Sequence, residues 1–320
     1  MRIVALVPGG IGDQILLFPT LDDLKRNYPE AEIDVVVEPR AEGAYRVCKS
    51  VSETLRYDFP DRNSLADWGN LLGTIRDREY DLAISLDNSL AIGLLLWMTG
   101  ISQRIGNAAS PSKMFLTNPV ALKTEQYAAS MYHDLLRELD INTPCPDLAI
   151  NVPKQDIDWA EAEQKRLGID QNGYVLIYGG ASEMSTGNSS SEIYPIEKWQ
   201  EIIADFQKRQ PDMSVVVVQG TNNVPFVSQL LQSFSNLKVT APGDIGKLAA
   251  IIAGANLMLC RDSVVIHLGV AVQTYTIALF GRNDPKKLLP QSDRILSIKS
   301  PTGNLADISP QEVIQKVWGG

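Results

Sequence analysis

The sequence predicts an α/β protein made of two Rossmann-like halves with a cleft between them. Three observations carry this. Short apolar runs alternate with helix-period stretches, the alternation pauses at one proline-rich segment, and then it restarts. The chain of 320 residues is too long for one ordinary core, and its 44% hydrophobic residues suffice for two. The pause is "NTPCPDLAINVPKQ" (142–155), whose three prolines and few helix formers read as a linker. The halves are therefore drawn as 1–150 and 151–320.

In the first half, residues 2–7 read as a strand and 13–27 as a helix with Leu17, Leu21 and Leu24 on one face. Residues 32–37 and 81–85 are the next strands, with a Trp- and Leu-rich helix at 63–78 between them. In the second half 156–167 is helical, and 174–178, 214–218, 237–239, 257–260 and 274–279 read as strands. Helices at 195–209, 244–254 and 263–270 fall between these strands. Pro195 suits a first helical turn, where its missing N–H is no loss. A last helix, 310–318, is expected to pack back across the first half. One segment, "GGASEMSTGNSSSEIYP" (179–195), breaks the rhythm. It reads either as a loop overhanging the strand ends, where α/β folds bind ligands, or as a surface insertion.

Composition excludes several functions. A formal net charge of −9 argues against a nucleic-acid or anionic-membrane surface, which needs clustered Lys and Arg. Cys48, Cys145 and Cys260 lack metal-ligand spacing and read as free thiols in a reducing, cytoplasmic compartment. The first seven residues are apolar but run into glycines and have no basic flank, so no secretory signal is expected. The longest apolar run, 90–98, is too short to span a bilayer, which takes ~20 residues. Work beside a membrane, or with a protein partner, stays open.

Two stretches could carry chemistry. The first is Gly9-Gly10-Ile11-Gly12-Asp13 between the first strand and the first helix. Gly10 and Gly12 let the chain turn and let a ligand approach the backbone. Asp13 reads either as a helix cap or as an acid placed at a ligand mouth. A dinucleotide reading is disfavoured. The third glycine of that pattern is absent, Ile15 standing there, and Asp13 would compete with a pyrophosphate for the helix start. Glu38 does end the next strand, where a ribose-binding acid would sit. The second stretch is "LMLCRDSVVIHLGVAV" (257–272). Asp262 and Ser263 read as cap residues. The N–H groups of Val264, Val265 and Ile266 would be unpaired and suited to a diphosphate. His267 lies one turn after Ser263, either as a satisfied core histidine or on the ligand side.

These residues resemble those of the glycosyltransferase family 9 enzymes, the ADP-heptose:lipopolysaccharide heptosyltransferases among them. The resemblance runs nearly end to end. Its most specific parts are "GGIGDQILLFPTLDDLKRNYP" (9–29), "YDLAISL" (80–86), "RIG" (104–106), "YPIEKWQEII" (194–203) and "DIGKLAAIIAGANLMLCRDSVVIHLGVAV...TIALFG" (244–281). It implies a GT-B architecture with the acceptor in the first domain, a nucleotide-sugar donor in the second, and no metal or other cofactor. It places the proposed general base on Asp13 and the donor diphosphate on Asp262, Ser263, Val264 and His267, with Ser182 of the polar loop added to the donor set. The expected reaction is inverting transfer from an ADP-sugar to a hydroxyl of a glycan, lipid-linked or small-molecule acceptor in cell-envelope glycan synthesis.

The chain departs from the family pattern at several positions. Glu192 stands where a Lys is expected before the Tyr-Pro pair, with Arg261, Lys198 and Arg282 as candidate substitute cations. Val264 replaces a Gly, Ser85-Leu86-Asp87-Asn88 replaces Asp-x-Gln-Gly, and Arg282-Asn283 replaces Pro-Thr. The alternative expectation is therefore a protein that keeps this scaffold without catalysis and serves as a binding or assembly partner.

Overall fold

The computed structural model describes residues 1–59, 64–179 and 193–319. It divides into two compact units, Met1–Asn151 and Val152–Gly320. The strands that build them are short, apolar and β-branched, and the two central strands of each sheet are almost wholly buried. Such strands need cover on both faces, which crossover helices supply to parallel sheets.

In the first unit β1 (Arg2–Val7) pairs in parallel with β2 (Glu32–Val37) on one side and β4 (Leu82–Ser85) on the other. With β3 (Glu53–Arg56), β5 (Gln103–Asn107) and β6 (Asn118–Val120) the order is β3-β2-β1-β4-β5-β6. Pro119 sits in β6 at the sheet edge, where its missing N–H breaks no ladder. The helices are α1 (Ile11–Asn27), α2 (Leu65–Asp77), α3 (Leu90–Thr99) and α4 (Ala128–His133). Asp23 of α1 is 1% exposed, and its Oδ2 lies 2.8 Å from His133 Nε2 and accepts from Thr143 Oγ1 at 2.7 Å. A buried carboxylate is tolerable only with such partners, and these bonds fasten α4 and the start of the linker to α1.

In the second unit the strands are β7 (Tyr174–Tyr178), β8 (Ser214–Val218), β9 (Lys238–Thr240), β10 (Leu257–Arg261), β11 (Thr276–Phe280) and β12 (Ile295–Lys299), in the order β12-β11-β10-β7-β8-β9. Counted within the unit and read from the other edge, this is the first unit's strand order again. The helices are α5 (Lys154–Leu167), α6 (Ile196–Arg209), α7 (Val224–Ser233), α8 (Ile245–Ala253), α9 (Val264–Ala271), α10 (Pro285–Leu288) and α11 (Pro310–Trp318). Trp199, Ile202, Ile203 and Phe206 form the buried stripe of α6 at the spacing a helix face requires. Pro195 is the residue before α6 rather than inside its first turn.

The last helix packs into this second core. Val313 is 1% exposed among the unit's core residues. The Trp318 ring packs on Phe206 with centroids 5.1 Å apart, and its Nε1 donates to Asp205 Oδ2 at 2.7 Å. Its amphipathic face is satisfied by α6 of its own unit. Ser182, Glu192 and nearly all of the polar loop fall outside the described residues.

Candidate functional site

In an open α/β sheet, ligands bind beyond the strand C-termini at the point where strand order reverses. That point lies between β1 and β4 in the first unit and between β7 and β10 in the second. Both sequence-predicted stretches fall there, one in each unit.

At the first locus the chain leaves β1 through Pro8, Gly9 and Gly10. Gly9 has φ +102°, and a Cβ there would collide with the Asp13 carboxylate, so the position requires glycine. Helix α1 starts two residues earlier than the sequence suggests, with Gly10 as N-cap and Asp13 as the third helical residue. Asp13 Oδ2 accepts the Gly10 N–H at 2.8 Å. This is the returning half of a capping box; Gly10 has no side chain for the other half. Asp13 is half-buried, while Gly10 and Gly12 are buried beside it. Burial pushes the Asp13 carboxyl above the usual carboxylate range; the amides of Gly10 and Asp13 pull it down, Glu38 adds to the rise and Arg40 opposes it.

Glu38 is not left open for a ribose. It is 2% exposed, its Oε1 accepts the Gly9 N–H at 2.7 Å and its Oε2 accepts from Arg40 Nε at 2.7 Å. Tyr132 of α4, which the sequence did not single out, is raised above its ordinary range by burial first and then by the Asp13 charge. At the neighbouring exit of β4, Asp87 Oδ1 accepts the Ser89 N–H at 2.6 Å, and Asn107 Nδ2 donates to Asn88 Oδ1 at 3.2 Å. Helix α3 begins just beyond. It carries no charged residue and exposes Leu90, Leu94, Trp97 and Met98 on one face.

At the second locus β10 hands over to α9 through Asp262 and Ser263. Ser263 is the N-cap, but its hydroxyl donates backward to the Arg261 carbonyl at 3.1 Å and caps nothing. The Ile266 N–H is taken by the Ser263 carbonyl at 3.1 Å. The expected trio of open donors is therefore a pair, Val264 and Val265, which have no intrahelical acceptor. Asp262 Oδ2 accepts from Asn283 Nδ2 at 2.6 Å. His267 is 5% exposed, and its Nδ1 is buried without a hydrogen-bond partner among the described residues. Burial alone pushes the His267 pKa down to about 4, so the ring is neutral at neutral pH.

The candidate substitute cations divide. Lys198 donates from Nζ to the carbonyls of Ala306 and Ile308 at 2.6 and 2.8 Å, so its ammonium holds the segment before α11. Arg282 is exposed, and Arg261 is buried at the end of β10. Among the described residues no group of three or more His, Cys, Asp or Glu is placed to hold a metal ion, and no helix is long and apolar enough to cross a membrane.

The sequence pattern of glycosyltransferase family 9 (heptosyltransferase) matches residues 68–318. The chain belongs to this family. It is 25% identical over 334 aligned positions to the Arabidopsis thaliana protein named photosynthetic NDH subunit of subcomplex B 1, chloroplastic, covering 96% of this chain and 71% of that one. It is 23% identical over 304 positions to lipopolysaccharide heptosyltransferase 3 of Escherichia coli, covering 89% and 85%. Its fold recurs among solved structures. A glycosyltransferase family 9 protein of Veillonella parvula superposes with TM-score 0.85 at 20% identity, covering 99% and 96% of the two chains. The E. coli ADP-heptose lipopolysaccharide heptosyltransferase II does so with TM-score 0.80 at 18% identity, covering 99% and 97%. This glycosyltransferase-family chain therefore has the GT-B type of α/β fold.

Proposed function

We propose that the protein transfers a sugar, with inversion, from a nucleotide-diphospho-sugar to a hydroxyl acceptor, and that the nucleotide is ADP. The observation that carries this reading is positional. Two units of the same strand order each present their chemistry-bearing residues at the switch point, a carboxylate in one and a helix start in the other. Asp13 takes the proton of the acceptor hydroxyl as that oxygen forms its bond to the anomeric carbon. The bond from that carbon to the diphosphate oxygen breaks, and its electron pair leaves with the nucleoside diphosphate. Burial makes Asp13 a stronger base than a free carboxylate. The amides of Val264 and Val265, with the α9 dipole, stand where the leaving diphosphate gains charge. A neutral His267 supplies a hydrogen bond there without a proton of its own to titrate near pH 7. The acceptor is a glycan, a lipid-linked saccharide or a small molecule, and the setting is cell-envelope glycan synthesis, as the names of the bacterial relatives suggest.

A second reading, a scaffold protein without catalysis, has two observations behind it. One relative is named as a subunit of a larger assembly, and the outer face of α3 is apolar and exposed, a property of partner-binding surfaces. Titration calorimetry with ADP, UDP and NAD separates the readings. The enzyme reading expects saturable ADP binding with UDP and NAD weaker. No heat with any of the three at millimolar concentration would leave the scaffold reading standing.

A further inference from the structure

We propose that Glu38 is a positioning residue for Asp13: its buried carboxylate holds the Gly9 amide and so fixes the turn that offers the Gly10 N–H to the Asp13 carboxylate. The geometry begins in the sheet. β1 and β2 run in register as far as Val7 opposite Val37. Beyond that pair the ladder ends, because the chain after Val7 must swing out of the sheet to start α1. Glu38 is the next residue on the β2 side. Its side chain reaches the amide that the ladder no longer serves, with Oε1 2.7 Å from Gly9 N. Held there, Gly9 turns with φ +102°, Gly10 follows in an extended conformation with φ −87° and ψ −173°, and its N–H meets Asp13 Oδ2 at 2.8 Å.

A carboxylate with 2% exposure is costly unless it is fully bonded. A merely structural acceptor for one amide would more cheaply be an Asn or a Ser. The negative charge has a second consequence. The charged and titratable groups facing Asp13, among the described residues, are Glu38 and Arg40 from the β2 exit and Tyr132 from α4. Burial sets the direction of the Asp13 shift, Glu38 reinforces it by like-charge repulsion, and Arg40, bound to the far oxygen of Glu38, tempers it. The pair Glu38–Arg40 therefore acts on Asp13 both through the turn and through the field. That Asp13 is the base rests on the functional reading above, whereas the coupling itself does not.

The test reads the coupling without any substrate. Asp13 is followed by carbon NMR of its carboxyl group across a pH titration, its signal identified by its absence in Asp13→Asn. Amide hydrogen exchange is measured at Gly9 and Gly10. All variants are compared where they are folded. In Glu38→Ala the two amides should exchange at least about tenfold faster, and Glu38→Gln, which keeps an acceptor oxygen, should restore their protection. Glu38→Gln should move the Asp13 midpoint to lower pH, because the repelling charge is gone, and Arg40→Gln should move it to higher pH. Unchanged exchange in Glu38→Ala, or an unmoved Asp13 midpoint in Glu38→Gln, overturns the proposal. Should Glu38→Ala not fold, the Glu38→Gln and Arg40→Gln titrations decide alone. A protein that shows these shifts but transfers no sugar would refute the enzyme reading and leave the coupling intact.

Discussion

Asp13→Asn lowers sugar transfer by about 10²–10⁴-fold, the usual contribution of a positioned general base, and leaves ADP affinity nearly unchanged. The substitution separates the two roles that Asp13 combines. Asn keeps an acceptor oxygen for the Gly10 N–H, so the turn and the start of α1 survive. The lost charge at the helix start costs only about 0.3–1 kcal/mol. What disappears is the ability to take a proton. The parent enzyme should also lose kcat/KM on the acid side at a pH above the ordinary carboxylate range, because burial raises Asp13, and protonated Asp13 is no base. Steady-state rates across pH, with calorimetry of ADP on both proteins, check this. Turnover that survives in Asp13→Asn would leave the residue as a cap alone.

Val264→Pro weakens ADP binding by about 10–100-fold, since a hydrogen bond to a charged group is worth about 1.5–3 kcal/mol. Val264 is the first residue of α9, the position where proline is best tolerated and its missing N–H breaks no helical bond. Ser263 before it is extended, with φ −166° and ψ 174°, the conformation that proline imposes on its predecessor. The fold should therefore persist while one of two open donors is removed. Val264→Ala is the control: it trims the side chain and keeps the amide, and ADP affinity should stay close to the parent. A loss shared by both variants would point to packing of the side chain.

The parts of the fold that were legible are those with a single physical signature. Residues 174–178 and 214–218 are apolar and β-branched, and the strands β7 and β8 occupy those residues. Strands with mixed exposure leave no such signature. β3, "ETLR", has no buried residue, and β12, "ILSIK", buries only Ile295 and Ile298. Helix α3 was visible only as an apolar run, because a helix without a polar face leaves no period to read. The last helix shows an amphipathic face, but its pattern does not name the surface it covers; the packed contacts of Trp318 with Phe206 and Asp205 do.

The candidate site was legible as position and not as bonding. The glycines and Asp13 marked the first mouth. That Asp13 lies one turn inside α1, or that Glu38 spends its carboxylate on Gly9 and Arg40, follows from a turn no spacing rule describes. At the second mouth the sequence gives no sign that the Ser263 hydroxyl points backward, since a Ser at an N-cap usually accepts from the helix. His267 was ambiguous because burial and bonding state are properties of the packed structure.

The amides opening α9 are proposed to hold the donor diphosphate. Following backbone amide signals while ADP is added tests it most directly. The largest shifts should fall at Val264 and Val265, with His267 responding and Gly9 to Asp13 still. Shifts centred on Gly9 to Asp13, with α9 unmoved, would contradict it and return the glycine turn to the reading of a diphosphate cradle.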